Sequence, residues 1–362
     1  MTKQCTACGG DLRDGAQICF TCETRQPFSE RTVDDNESMR QWDITLRWDG
    51  QTSLQGFDLA GRRLKGHNLK SADLQNANLE GTDLSDANLE GANLRGACMS
   101  KANLSGANLK KATLRMANLE DAIIVSCNLL GVYLSETRLN GAYLRDLDLH
   151  SAFLETDLEE AYLANINLQG ANLEGANLSS VRMLNVKLAS ARLSSANLQN
   201  ASLVRSVLAE SELVRANLTG ASLDDIDLTN AVLLGANLRG AHLSAVTLSG
   251  ADLQEVDLEG ASLRNVALED AELRHSNFRN AEIVYTNLED AAGLDFVNLE
   301  GVWFDFVSPT VKDRAVLERL RLAKTLQGVT LPDGTVLPGV HSLLDSSDDS
   351  WRVAFDAWCS NS

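Results

Sequence analysis

The sequence predicts an all-β protein. Its bulk is a four-sided solenoid, with a small cysteine-bearing module before it and a short helical cap after it. Three observations carry that prediction. A leucine recurs at every fifth residue through most of the chain. The small residues beside those leucines sort into columns spaced by twenty residues. Aromatics make up only 5% of the 362 residues. That is too few for a conventional core of this size, because aromatics supply large buried area per residue. Apolar content is nevertheless 44%, which argues against disorder.

The first element spans residues 1–28. Cys5, Cys8, Cys19 and Cys22 form two Cys-x-x-Cys pairs with ten residues between them. Each pair presents two thiolates from one tight turn, and four sulfurs suit a tetrahedral Zn2+ ion. Gly9 after the first pair permits such a turn; Glu23 stands at the matching place after the second. Four thiolates leave no open coordination position, so the ion is expected to be structural, one per chain. So short a segment cannot bury a core of its own, and the module is expected to fold only around its metal. It resembles a short zinc ribbon. A rubredoxin-like iron site and a redox role for one pair are the alternatives, the latter without a βαβ context. The 7 cysteines are odd in number and Met1-Thr2-Lys3-Gln4-Cys5 opens no apolar leader. A reducing, cytoplasmic setting is therefore expected rather than a disulfide framework.

Residues 29–56 read as a linker and a capping strand. Glu30–Ser38 is polar. Trp42-Asp43-Ile44-Thr45-Leu46-Arg47-Trp48 alternates at period two and runs into an Asp49-Gly50 turn, the pattern of a half-buried strand. It is expected to close the N-terminal end of the solenoid; a partner-binding strand is the alternative.

Residues 57–305 are the solenoid. Fifty five-residue units can be centred on Leu59 to Leu154, Leu158 to Leu288, and Leu294, Leu299 and Phe304; 44 of the centres are Leu. The position two before the centre is Ala in 28 units. Five residues fit neither a helical period nor strand alternation, but they fit one short side of a square coil. Centre and Ala, two apart on an extended segment, then point inward, and the other three positions are expected to face water. The columns test the coil length. One side reads Ile166, Val186, Ser206, Ile226, Val246, Val266, Thr286, whereas the sides beginning at Ala171, Ala176 and Ala161 are mostly Ala. A five-residue repeat without higher order would not sort them. The rhythm breaks by one missing residue near Glu155-Thr156-Asp157 and one extra near Ala291-Ala292-Gly293. Counted by steps, Cys127 and Leu147 share the side of Ile166, so the deletion is expected to tighten a corner or bend the coil stack without ending it. Cys127 then reads as a small buried hydrophobe and Cys98 as outward-facing.

The A-(D/N)-L-x-x pattern resembles the pentapeptide-repeat family over roughly residues 57–305. The resemblance implies a right-handed quadrilateral parallel β-helix. Fifty sides make about twelve coils, a rod roughly 60 Å long at the spacing of stacked strands. It also implies a function class, since some members of the family are acidic mimics of duplex DNA that inhibit or protect DNA gyrase.

Residues 306–362 read as the helical cap. A helix is expected from Ser308-Pro309 to Leu326, stopped by Gly328. A hairpin around Pro332-Asp333-Gly334 follows, and Leu326–Thr335 resembles the C-terminal segment of many bacterial pentapeptide proteins. A last helix from near Ser347 places Trp351, Phe355 and Trp358 on one face. That face either closes the solenoid or forms a homodimer or partner surface.

Charge narrows the partners. Fifty acidic against 32 basic residues give a net charge of −18, so the coil surface repels phosphates and is not expected to bind nucleic acid. No run of about 18 apolar residues exists to span a membrane. Residues 161–207 carry one acid and four bases; residues 208–305 carry 18 acids and 5 bases. In the twenty-residue coil Glu269 would stack on Glu289 and Asp270 on Asp290, either as a solvated face or as a site for a basic protein or cation. The five His are scattered. There is no nucleophile–base pair and no phosphate loop, and Leu and Ala fill the interior, so no enzyme is expected. The expected function is a non-enzymatic protein–protein interaction scaffold with the ribbon as docking module. The alternative is the gyrase-binding DNA mimic, against which the basic stretch and the ribbon weigh. DNA binding by the ribbon ranks last, because its charge is nearly balanced.

Overall fold

The computed structural model describes residues 53–152, 154, 156–286, 291–294 and 296–305, two short N-terminal strands, and Val353, Ala354 and Ala357. The chain divides into two compact units, Met1–Asp148 and Leu149–Ser362. Each contains parallel coils of a β-solenoid.

In the first unit, β1 (Lys3–Gln4) and β2 (Asp11–Leu12) pair antiparallel, Lys3 opposite Leu12 and Gln4 opposite Asp11. The coils begin at Leu54, whose N–H donates to the Asp73 carbonyl at 2.8 Å, one side before Leu59. Parallel bridges at twenty-residue intervals join Asp58, Asn78, Cys98 and Asn118. Another side runs Arg63, Asp83, Asn103 into β3 (Ile123–Val125) and β4 (Tyr143–Arg145). The centre residues from Leu69 to Leu119 are at most 1% exposed, and the alanines between them are equally buried.

The second unit repeats the plan. β5 (Tyr162–Ala164), β6 (Arg182–Leu184), β7 (Ser202–Val204), β8 (Ser222–Asp224), β9 (His242–Ser244), β10 (Ser262–Arg264), β11 (Glu282–Val284) and β12 (Trp303–Asp305) form one parallel ladder. Successive strands are twenty residues apart until β12, which pairs with β11 at a spacing of 21, Glu282 opposite Trp303. Both breaks in rhythm are absorbed locally. Leu168 donates to Lys187, nineteen on, whereas Leu149 and Leu154 donate to Asn167 and Asn172, eighteen on. At the insertion Phe278 donates to Asn298, twenty on. The coil shortens or lengthens by a residue and the columns continue.

The columns have a structural cause. At three corners the N–H after the turn donates to the preceding centre carbonyl, as Ala171 to Leu168 and Ala176 to Leu173, both at 3.0 Å. The corner residue before it has positive φ, +65° at Gly170 and +67° at Gly175, the torsion such a closed turn demands. The fourth corner follows the strand side. There the chain stays extended one residue longer, and no turn bond closes on Leu163, Met183, Leu203, Leu223, Leu243 or Leu263 among the described residues. The open corner takes the branched column of Ile166 and Val186, buried like the rest. Cys127 and Leu147 follow β3 and β4 in the same way. Opening the turn leaves an N–H without its carbonyl, and two members of the column supply an acceptor. Val186 N–H donates to Ser206 Oγ at 3.1 Å, and Val266 N–H to Thr286 Oγ1 at 3.0 Å.

Two expectations need correction. The residue just before the centre does not simply face water: Asn103 is 2% exposed. Its Nδ2 donates to Asp83 Oδ1 at 3.2 Å, and its Oδ1 accepts the Ser105 N–H at 3.2 Å. The same two bonds recur at Asn78, Asn88, Asn93 and Asn177. Asn is used there because one side chain both closes an Asx turn and reaches the coil before it. Second, in the first coil Phe57 and Arg62, two before their leucines, are exposed rather than inward. Both are too large for a slot shaped for Ala, and no described coil precedes them.

Apart from β1 and β2, the N-terminal metal module lies outside the described residues, as do the capping strand at 42–48 and the helix and hairpin at 308–337. Val353, Ala354 and Ala357 are helical within the last expected helix, with the Val353 side chain exposed.

Candidate interaction surfaces

With the interior filled by Leu and Ala, chemistry is confined to the outward positions, two or three per side. Among the described residues no group of His, Cys, Asp and Glu is disposed to hold a metal ion. No helix there is long and apolar enough to cross a membrane.

The four expected zinc ligands, Cys5, Cys8, Cys19 and Cys22, lie outside the described residues. Of residues 1–28, only β1 and β2 are described, with Gln4 opposite Asp11. The other two cysteines in the coils behave as their positions dictate. Cys98, outward, is half-buried. Cys127, inward, is buried, its thiol donating to the Leu104 carbonyl at 2.9 Å. Burial pushes its pKa from the ordinary 9.0 up to about 12, because the thiolate would lie in a dry core. A pH dependence follows. Below pH about 9 the thiol is neutral in folded and unfolded chains alike. Between about 9 and 12 only the unfolded chain loses the proton, so stability falls as pH rises through that window. Cys127→Val, which puts there a residue the same column carries at 186, is expected to flatten that part of a urea-midpoint-against-pH profile. Parallel profiles for the two proteins would contradict it.

Of the acidic set, Glu269 is exposed and its Oε2 accepts the Ser249 hydroxyl at 2.7 Å. That bond, aided by its own backbone N–H, holds the carboxyl below its ordinary range. Ser249 stands twenty residues earlier, one coil away in the same column. Asp270 occupies a corner with φ +56°. Glu289 and Asp290 lie outside the described residues, as do Trp351, Phe355 and Trp358. The acidic stretch is partly neutralised. Arg239 pairs with Asp257 at 3.1 Å and Glu259 at 2.6 Å. Arg264, Arg274 and Arg279 pair with Glu282, Glu272 and Glu300 at 4.0, 3.8 and 3.5 Å. These exposed pairs add little stability, but they engage four of the five bases between 208 and 305.

Two outward features were not anticipated from sequence. His275 stacks on Phe296, ring centroids 5.0 Å apart and planes within 9°. Beside the open corner, Ala245 to Thr247, Asn265 to Glu269 and Tyr285 line a shallow groove of about 310 Å³. Tyr285 is 51% exposed with φ +50°. An aromatic residue at a corner is visible in the sequence, but its torsion and its distance from Glu269 in the chain conceal the groove.

Comparison with family models agrees with this geometry. A family model described as pentapeptide repeats matches in eight copies between residues 52 and 291. The curated proteins contain no match. Solved structures do. HetL, a pentapeptide repeat protein involved in heterocyst differentiation regulation from the cyanobacterium Nostoc sp. strain PCC 7120, is 28% identical over 73% of this chain and 93% of its own, with a TM-score of 0.39. Rfr23, from the cyanobacterium Cyanothece 51142, is 28% identical over 37% of this chain and 87% of its own, TM-score 0.23. QnrB1, a plasmid-mediated fluoroquinolone resistance protein, is 19% identical over 73% of this chain and 98% of its own, TM-score 0.24.

Proposed function

Because the chain belongs to the pentapeptide-repeat family, whose coils leave only outer surfaces to meet other molecules, we propose that it is a non-enzymatic protein–protein interaction scaffold. The observation that carries this reading is the filled interior. Every centre from Leu158 to Ile283 is at most 3% exposed, so no lumen remains for a substrate. Chemical variety lies instead on the outward columns, where charge, aromatic rings and hydrogen-bonding groups vary from coil to coil while the inward positions stay small or aliphatic with few exceptions. Such an arrangement presents a partner with a fixed pattern of side chains at strand spacing. What supports a structural zinc at the N-terminal cysteines is their spacing, two Cys-x-x-Cys pairs whose four thiolates are a tetrahedral donor set. Cys5, Cys8, Cys19 and Cys22 would hold the ion, and the ribbon would dock a partner.

The concentration of acid in residues 208–305, 18 acids to 5 bases, favours a second reading, the acidic DNA mimic acting on gyrase. One set of experiments separates the two. Affinity capture with the full chain, and with a chain lacking residues 1–28, should return different partners if the ribbon selects them; identical catches would remove the docking role. Gyrase supercoiling assayed with the purified protein should be unchanged, and inhibition would reverse the order of the two readings.

A further inference from the structure

The corner residues that follow β5 to β11 are Asn165, Asn185, Arg205, Asp225, Ala245, Asn265 and Tyr285, and all have positive φ. Asn and Asp accept that torsion readily, whereas a bulky ring there is a steric outlier. The fold therefore favours Asn at 285, and a tyrosine held against that preference has to be explained by what it faces. It faces the groove that also contains Val266, Thr247, Asn265 and Glu269. Glu269 is fixed there by the Ser249 hydroxyl on one oxygen, Oε2, and stays ionised. Four arginines of the acidic stretch are already engaged by neighbouring carboxylates, so the cation that completes this pair of groups is best supplied from outside.

We propose that the Tyr285–Glu269 groove receives an arginine side chain from a basic segment of a partner protein. A guanidinium lies flat on a phenol ring and donates in its own plane to a carboxylate. The surplus of acid over residues 208–305 draws a basic segment to these coils. The proposal rests on the scaffold reading and specifies one of its contact points.

The test uses the full chain and a fluorescent peptide of alternating Arg and Gly, with the same peptide carrying citrulline in place of Arg as the uncharged control. The Arg peptide is expected to bind more tightly than the citrulline peptide. Tyr285→Asn removes the ring but suits the torsion, so it should match or exceed the wild-type melting temperature while weakening Arg-peptide binding roughly two- to fivefold, the range of an exposed cation–π contact. Glu269→Gln is expected to weaken it about tenfold, as for loss of a hydrogen bond to a charged group. Glu255→Gln, which removes an acid of the same stretch outside the groove, should leave it unchanged. Equal binding of both peptides, equal binding by wild type and Tyr285→Asn, or an equal loss from Glu255→Gln and Glu269→Gln would each overturn the groove. Partner capture that persists unchanged in Tyr285→Asn would remove the groove and leave the scaffold reading standing, whereas capture of nothing by the wild-type chain would remove the scaffold reading itself.

Discussion

Phe278→Ala should lower the unfolding free energy by about 3–5 kcal/mol, the usual cost of emptying a buried phenylalanine site. Phe278 is fully buried and stands at a centre where leucine is the rule. The slot two before it holds Ser276, whose hydroxyl donates back to the Leu273 carbonyl at 2.7 Å, and the ring supplies volume that so small a neighbour does not. The site is also the seam where the coil lengthens, its N–H reaching Asn298 rather than the residue before. Relaxation into the cavity is hindered because the flanking coils are tied by backbone bonds above and below. Phe278→Leu should cost much less. In a stacked repeat, stability is a sum over neighbours, so the loss is expected to be local. Amide exchange should rise in the coils around β10 to β12 and stay near wild type around β5 and β6. A uniform rise across the second unit would contradict this.

Metal analysis of the purified chain should return about one zinc, and none after Cys5→Ser with Cys19→Ser. The loss is expected to be large in its local effect and small elsewhere. The first 28 residues have little apolar surface to bury, so the metal supplies their folding free energy, whereas the coils draw theirs from leucine burial that does not involve the cysteines. Chelation should therefore abolish protection of the amides in β1 and β2 while the far-UV spectrum of the coils persists. Iron in place of zinc, or a module that stays protected without metal, would overturn the assignment.

How much of this was legible in the sequence differs from element to element. The period of Leu59, Leu64 and Leu69 gave the side length, and the branched column from Ile166 to Thr286 gave the coil length, because both are inward positions where size is selected. The reason for the branched column was not legible. It lies in a missing hydrogen bond at the corner after each strand, a backbone property that residue types only echo. The role of Asn78 or Asn103 was hidden for a related cause. Each reads as a polar surface residue until the residue twenty places earlier is set beside it. Glu269 was singled out for its charge, but its partner Ser249 and the exposed ring of Tyr285 come from adjacent coils, and an unfamiliar torsion at 285 carries no mark in the letters.

Coils of nineteen or twenty-one in place of twenty are tolerated because the extra or missing residue is hidden at one corner and everything after it keeps its side. Removing five residues would be a different event. The leucines would still line up, yet each later side would shift by a quarter turn. Branched residues shaped for the open corner would be forced into alanine-sized slots, and Tyr285 would leave its place near Glu269. Whole-coil gains and losses are thus the steps by which such a molecule can change length while keeping its surface legible to a partner, and single-unit slips are filtered out by the core itself.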